Sequence, residues 1–312
     1  MKVSIVTINY NNVEGLKKTL SSVVEQSYRD IEHIIIDGGS TDGSVEVIKE
    51  YVAANPNKDP FFKHTIKWVS EKDNGIYNAM NKGIEIALGQ RVVNKNHTSN
   101  ITHNTLQESL CNYVQILNSG DILASPDVTE RMVNALHSFT RSTLNDKIDV
   151  PILYGNMIKK DYTTGKIIGK SREVEYSLRQ YFSSTMNHDC CYFRRDLFET
   201  YGLYDENLKI VSDWKWFLQA IGLGHVKPVY VDIDVTIFDA SGISETNLAL
   251  RNQERRQVLE ELLPPAILAD YDAHAFEIEQ MNRLRRRHLY GLVYFIERVL
   301  FKLEKWGILP RY

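Results

Sequence analysis

Four carboxylates stand where an α/β chain does its chemistry. Asp37, Glu71, Asp73 and Asp121 each follow a short β-branched or apolar run. In open α/β sheets ligands collect at the carboxyl ends of the strands, near the switch in strand order. A bare anionic cluster there would repel a phosphorylated ligand. It suits one whose hydroxyls are gripped by some acids while another acid holds a divalent cation. Oxygen ligands beside a diphosphate select Mg²⁺ or Mn²⁺. Thr7 and Asn9, after the first run, add neutral hydrogen-bonding groups at the same edge. Any one acid could equally cap a helix or sit solvated in a loop, as Asp42 and Asp127 are read here. The shared position at successive strand ends favours a site.

The elements that must position these groups alternate in type. Strands are expected over 3–8, 33–37, 66–69 and 113–117. Helices are expected over 13–24, 44–52 and 74–88, the last with Ile76, Met80, Ile84 and Leu88 on one face. Strands separated by helices of this length imply a parallel sheet with right-handed crossovers. Residues 90–110 break the rhythm and read as a polar surface insertion, with His97 and His103 as ordinary loop histidines. The second half is mixed: strands near 152–156 and 158–170, turning at Thr163-Thr164-Gly165, then strands at 190–193 and 226–232, with helices at 195–201 and 213–221.

With 312 residues, 43% hydrophobic and 25% charged, the chain has an ordinary globular composition. Its formal charge of −3 offers no global basic field for nucleic acid. Cys111, Cys190 and Cys191 are too few for a disulfide framework, and the adjacent pair lacks zinc-ligand spacing. The first strand is followed by Asn9-Tyr10-Asn11-Asn12, so the glycine-rich dinucleotide fingerprint is missing. No phosphate-binding loop ending Gly-Lys-Ser/Thr and no Gly-x-Ser-x-Gly elbow occurs. The chain opens directly on strand-like residues, without a basic leader or a long apolar run, which predicts a cytoplasmic protein.

VSIVTINYNN over 3–12, IDGGSTDGS over 36–44, SEKDNGIYNAMNKG over 70–83 and LNSGD over 117–121 resemble family 2 glycosyltransferases of the GT-A fold. The likeness continues through His188, FRRDLF over 193–198, GLYDE over 202–206 and SDWKWFL over 212–218, and spans roughly residues 1–245. It implies an α/β, mostly parallel sheet flanked by helices, with a nucleotide-sugar half at 1–121, an acceptor half at 150–245 and a helical extension at 246–312. It also implies inverting transfer of a sugar from a nucleotide-diphosphate donor to an acceptor hydroxyl. By that resemblance Thr7, Asn9 and Asp37 match positions that hold base and ribose, and Asp73 and Asn81 match positions near the donor. Asp121 matches the last acid of the family's Asp-x-Asp metal motif, here thinned to Asn118-Ser119-Gly120-Asp121. Asp213 matches the catalytic base, although with Ser212 before it the residue also suits a helix cap. His188 is a candidate contact for acceptor or diphosphate. Trp214 and Trp216 suit either the core or an apolar sugar platform.

The acceptor expected from this class is a glycan, often carried on a membrane lipid, in bacterial polysaccharide assembly. The alternative is a catalytically silent sugar-nucleotide-binding or scaffold protein, on the strength of the thinned metal motif. Residues 281–312 hold eight Lys/Arg and two Glu, so the tail is +6 while the rest is −9. Leu289, Leu292, Val293, Ile296, Val299, Leu300 and Leu303 recur at helical spacing beside Arg285-Arg286-Arg287. Two readings stand: peripheral contact with an anionic membrane, at the inner face of the cell membrane, or packing on the protein itself or a second copy.

Overall fold

Two β-branched runs, Val3–Asn9 (β1) and Ile31–Asp37 (β2), are buried along their whole length. That pattern requires a central place in a sheet covered on both faces. In the computed structural model, which describes residues 1–54, 64–91, 112–141, 150–161, 164–173, 178, 181, 185–239 and 247–305, they lie at the middle of a parallel ladder. Thr65–Ser70 (β3) and Tyr113–Asn118 (β4) flank them, giving the spatial order β3-β2-β1-β4. The helices between them are Val13–Val24 (α1), Ser44–Ala54 (α2) and Ile76–Ala87 (α3).

Alternation along the strands sends neighbours to opposite faces. Ile35 and Trp68 pack with Leu16, Leu20 and Ile48 from α1 and α2. Val6 and Ile36, on the other face, meet α3 at Gly83. A Cβ on Gly83 would lie 2.2 Å from Val6 Cγ1, so only glycine lets the helix settle at this distance.

Beyond β4 the sheet becomes mixed. Ile122–Leu123 (β5), Ile152–Lys160 (β6), Ile167–Lys170 (β7), Cys191–Arg194 (β8) and Pro228–Asp239 (β9) complete the order β3-β2-β1-β4-β8-β6-β9-β5, with β7 beside β6. β8 runs antiparallel to both β4 and β6, while β9 is parallel to β6. Val128–Arg141 (α4), Asp196–Tyr201 (α5) and Ser212–Phe217 (α6) complete this part; α6 passes into a wider π-turn over Leu218–Leu223. The final strand is longer than 226–232, because β9 continues to pair with β6 as far as Asp239.

The chain forms two compact units, Met1–Arg256 and Gln257–Tyr312. Leu248–Leu262 (α7) runs across that division. Pro265–Arg286 (α8) and Tyr290–Lys305 (α9) lie in the second unit, separated by a break where His288 adopts φ 55°. No helix among the described residues is long and apolar enough to cross a membrane. Residues 92–111, nearly all of the expected insertion with both its histidines, fall outside the described residues, as do Thr163 and Trp306.

One buried group gives the fold an acid limit. His33 lies between the Thr7 hydroxyl, 3.0 Å from Nε2, and the Tyr51 hydroxyl, 3.0 Å from Nδ1. Burial, with a smaller contribution from His64, pushes its pKa down to about 3. Between that value and the unfolded value near 6.5 the unfolded chain binds the extra proton. Stability is therefore full above 6.5 and falls as pH drops towards 3, by up to about 1.4 kcal/mol per pH unit. Urea melts of wild type and His33→Gln at pH 7.5, 6.5 and 5.5 are expected to show a shallower acid loss in the variant. Parallel losses would remove His33 as the cause.

Candidate active site

The ends of three strands line up by register, Asn9 beside Asp37 and Asp37 beside Ser70. Asp37 is buried and accepts five hydrogen bonds. Asn9 Nδ2 (2.9 Å) and Ser40 Oγ (2.6 Å) reach Oδ1, while Gly39 N (3.2 Å), Ser40 N (3.0 Å) and Ser70 Oγ (2.7 Å) reach Oδ2. This carboxylate fixes the turn after β2. Beside it, a Cβ on Gly38 would fall 2.3 Å from Asp73 Oδ2 and 3.2 Å from Tyr10 Cδ2. Glycine thus keeps a notch open between an acid and an aromatic ring that is 64% exposed.

A second group lies at the end of β4. Asn118, Asp121, His188, Asp213 and Trp214 line one cleft of about 160 Å³. His188 Nδ1 is 3.1 Å from Asp213 Oδ2, and its Nε2 is 3.3 Å from Asn118 Nδ2. Tyr77 from α3 places its hydroxyl 3.0 Å from Asp213 Oδ1 and 2.7 Å from the Ile210 carbonyl, with one proton to serve both. Asp213 and His188 keep 16% and 17% of their side-chain surface open, enough for a hydroxyl to arrive. Asn12 Nδ2 donates to the Ser119 carbonyl at 3.0 Å, tying the loops after β1 and β4 along the same sheet edge.

Burial works against the charge on Asp213. The His188 hydrogen bond and charge, the Trp214 backbone N–H and Tyr77 outweigh it and hold the carboxyl below its usual range. For His188, burial opposes protonation, but Asp213 and the charges of Asp189 and Asp121 raise its pKa overall. Asp213 therefore stays an anion at neutral pH with both oxygens oriented.

Two oxygens at the cleft suit a hard cation. One belongs to the Asp121 carboxylate. The other is Asn118 Oδ1, buried with no hydrogen-bond partner. Among the described residues no three His, Cys, Asp or Glu side chains converge as a metal cluster. The remaining ligands would be diphosphate oxygens and water, the arrangement that magnesium-type ions favour.

The structure thus brings together Asp121, His188, Asp213 and Trp214 at one cleft, and Asn9, Asp37 and Asp73 at the neighbouring strand ends. Thr7 and Asn81, also expected near the donor, have partners within the protein. Thr7 is fully buried and hydrogen-bonded to His33, inside the layer between sheet and α2. Asn81 is buried, with Nδ2 donating to the Tyr204 carbonyl (2.8 Å) and Glu206 (2.9 Å) and Oδ1 accepting from Tyr204 N (2.9 Å). Its amide joins α3 to the 204–206 turn. Neither Trp offers an open platform. Trp216 is packed among Phe193, Phe198, Tyr204 and Phe217, and Trp214 is 2% exposed with Arg255 over its ring at 5.1 Å.

The sequence assigns no role to Arg251 and Arg255, which line the cleft, or to Tyr77 and Glu254, which brace it. Tyr77 sits within the SEKDNGIYNAMNKG stretch, and its place before a buried helical face was the available signal. Glu254 receives the N–H groups of Lys209 (2.8 Å), Ile210 (2.9 Å) and Val211 (3.3 Å), the residues leading into Asp213. No local pattern announces such a long-range cap.

A parallel sheet that turns mixed after β4, with acids at its carboxyl edge and an oriented carboxylate across the cleft, is the GT-A architecture of sugar-transferring enzymes. The sequence profile described as "Glycosyl transferase family 2" matches residues 4–97. An uncharacterized glycosyltransferase of Mycobacterium tuberculosis is 30% identical over 247 residues, covering 77% of this chain and 76% of its own. The chain belongs to glycosyl transferase family 2. A "PGL/p-HBAD biosynthesis glycosyltransferase" of Mycobacterium bovis is 22% identical and covers 78% of this chain and 79% of its own. Among solved structures, S. aureus TarS 1-349 in complex with UDP-GlcNAc superposes with a TM-score of 0.57 at 14% identity, covering 91% of this chain and 75% of that one. A longer TarS chain is matched over 43% of its length. The mannosyltransferase PcManGT from Pyrobaculum calidifontis, bound to GDP-Man and Mn²⁺, gives 0.54 at 16% identity, covering 88% and 69%.

Proposed function

We propose that this glycosyltransferase is an inverting enzyme that moves a sugar from a nucleotide-diphosphate donor to an acceptor hydroxyl. The carrying observation is that Asp213, an oriented and partly open anion, shares a cleft with Asp121. In a single displacement the acceptor oxygen bonds to the anomeric carbon from the face opposite the nucleotide. The bond to the diphosphate oxygen breaks, and the electron pair leaves with the nucleoside diphosphate. Asp213 takes the acceptor proton, while His188 and Tyr77 hold it in place. A Mg²⁺ or Mn²⁺ held by Asp121 and Asn118 Oδ1 would neutralise charge on the leaving group.

Asn9, Asp73 and the exposed Tyr10 ring are assigned to the nucleoside, with Tyr10 stacking on the base. Asp37 acts through the turn it fixes. The nucleotide-sugars in the TarS and PcManGT complexes support such a donor, and the name of the M. bovis relative supports a bacterial glycan or glycolipid product. The test is turnover of a nucleotide-sugar panel with Mn²⁺ by wild type and Asp213→Asn. Equal, near-zero turnover in both would leave a silent binding protein.

We further assign the second unit to an anionic lipid surface on the cytoplasmic side of the membrane. Leu292, Phe295, Ile296, Val299 and Leu300 of α9 are exposed, and the +6 charge of 281–312 complements anionic headgroups. Flotation with phosphatidylglycerol vesicles is expected to capture the full chain, to fall with added salt, and to fail after deletion of 281–312. Unchanged capture by the deleted chain rejects this assignment. A dimer that the same deletion converts to a monomer favours self-packing.

A further inference from the structure

The cleft is strongly acidic for a site assigned to a diphosphate. Asp121, Asp189 and Asp213 all line it, and only Asp121 combines with an orphaned oxygen to suit a cation. A diphosphate placed there needs further positive charge. Arg251 and Arg255 line the same cleft from α7. They stand four residues apart, so they share one helix face a single turn apart. Glu254, between them in sequence, locks this turn of α7 onto the backbone of 209–211. Arg255 is held further by stacking over Trp214, whose neighbour Asp213 is the assigned base.

We propose that Arg251 and Arg255 form a phosphate-binding wall of the cleft, facing the group whose charge the single metal-site carboxylate leaves under-compensated. This inference rests on the transferase reading and deepens it. Guanidinium is planar and permanently charged, and its paired N–H groups match phosphate oxygens better than an ammonium does. The phosphate has two chemical sources: the diphosphate of the donor, or a phosphoryl group on the acceptor carrier. In both cases the arginines bind charge and leave proton transfer to Asp213.

The sources are separated by calorimetry on the full chain, using UDP and GDP without acceptor in one arm and dodecyl phosphate without nucleotide in the other. Arg251→Gln and Arg255→Gln are each expected to weaken one of these probes by about tenfold or more. They should also flatten the dependence of log Kd on log salt, a change that a purely structural role would not produce. Arg255→Lys should keep most of the salt slope while losing part of the affinity. Loss confined to the nucleotides assigns the wall to the donor, and loss confined to dodecyl phosphate assigns it to the acceptor. Wild-type affinities in both Gln variants, or a wild type that binds neither probe, overturn the proposal. If Arg255→Gln fails to fold once its stacking is lost, Arg251→Gln decides alone. Asp213→Asn run alongside should bind the probes normally yet lose turnover, so the assignment of the base stands or falls separately.

Discussion

Asp213→Asn is expected to slow sugar transfer by about 10²–10⁴-fold while nucleotide affinity and thermal stability remain near wild type. The range is what general-base assistance typically contributes. An amide matches the carboxylate in shape but cannot take a proton. Its NH₂ can donate to the Tyr77 hydroxyl, which keeps its proton for the Ile210 carbonyl, while its oxygen accepts from His188. The acid limb of the wild-type rate profile should lie below the ordinary carboxylate range, because the surroundings of Asp213 hold its carboxyl down. Single-turnover rates with saturating donor give the comparison directly. A variant that transfers sugar at the wild-type rate would move the base elsewhere.

Glu254→Ala is expected to destabilise the chain by about 3 kcal/mol and to cut transfer by more than its effect on folding explains. Glu254 is buried, and its two oxygens collect three backbone N–H groups. Buried donors left without acceptors cost about 1–3 kcal/mol each, and Ile210 and Val211 are both buried. The same loss frees the segment whose Ile210 carbonyl meets Tyr77 and whose next turn carries Asp213. Denaturant midpoints and transfer rates measured below the unfolding transition separate the two effects. Glu254→Gln, which keeps one acceptor oxygen, should fall between. Wild-type stability in Glu254→Ala would mean that another group caps 209–211.

The parallel half of the sheet was legible because each strand is a compact β-branched run followed by a polar residue at its carboxyl end. Thr7 has a partner that such reasoning does not reveal. In a fully buried strand side chains alternate between two covered faces, and a hydroxyl two residues short of the strand end can find its partner, here His33, inside a layer. Asn81 is a related case: its motif position points towards the donor, while its amide is satisfied by the backbone at Tyr204. Val128–Arg141 carries apolar residues at 128, 132, 133 and 136, yet no expectation covered it. In the mixed region most strands and helices lie close to where they were expected, but their pairing is not legible locally. β8 is four residues long and owes its place to partners at 113–114 and 152–154. The cleft's contribution from α7 depends on contacts forty-odd residues apart in sequence, between Glu254 and 209–211.

The five donors gathered on Asp37 bear on how tightly this surface can grip a nucleoside. Ordering a loop upon association commonly consumes part of the affinity that contacts generate. Here the turn after β2 is already frozen by the time the chain has folded. A nucleoside docking there as proposed would meet a finished ledge, and the motional freedom it must extinguish would be chiefly its own.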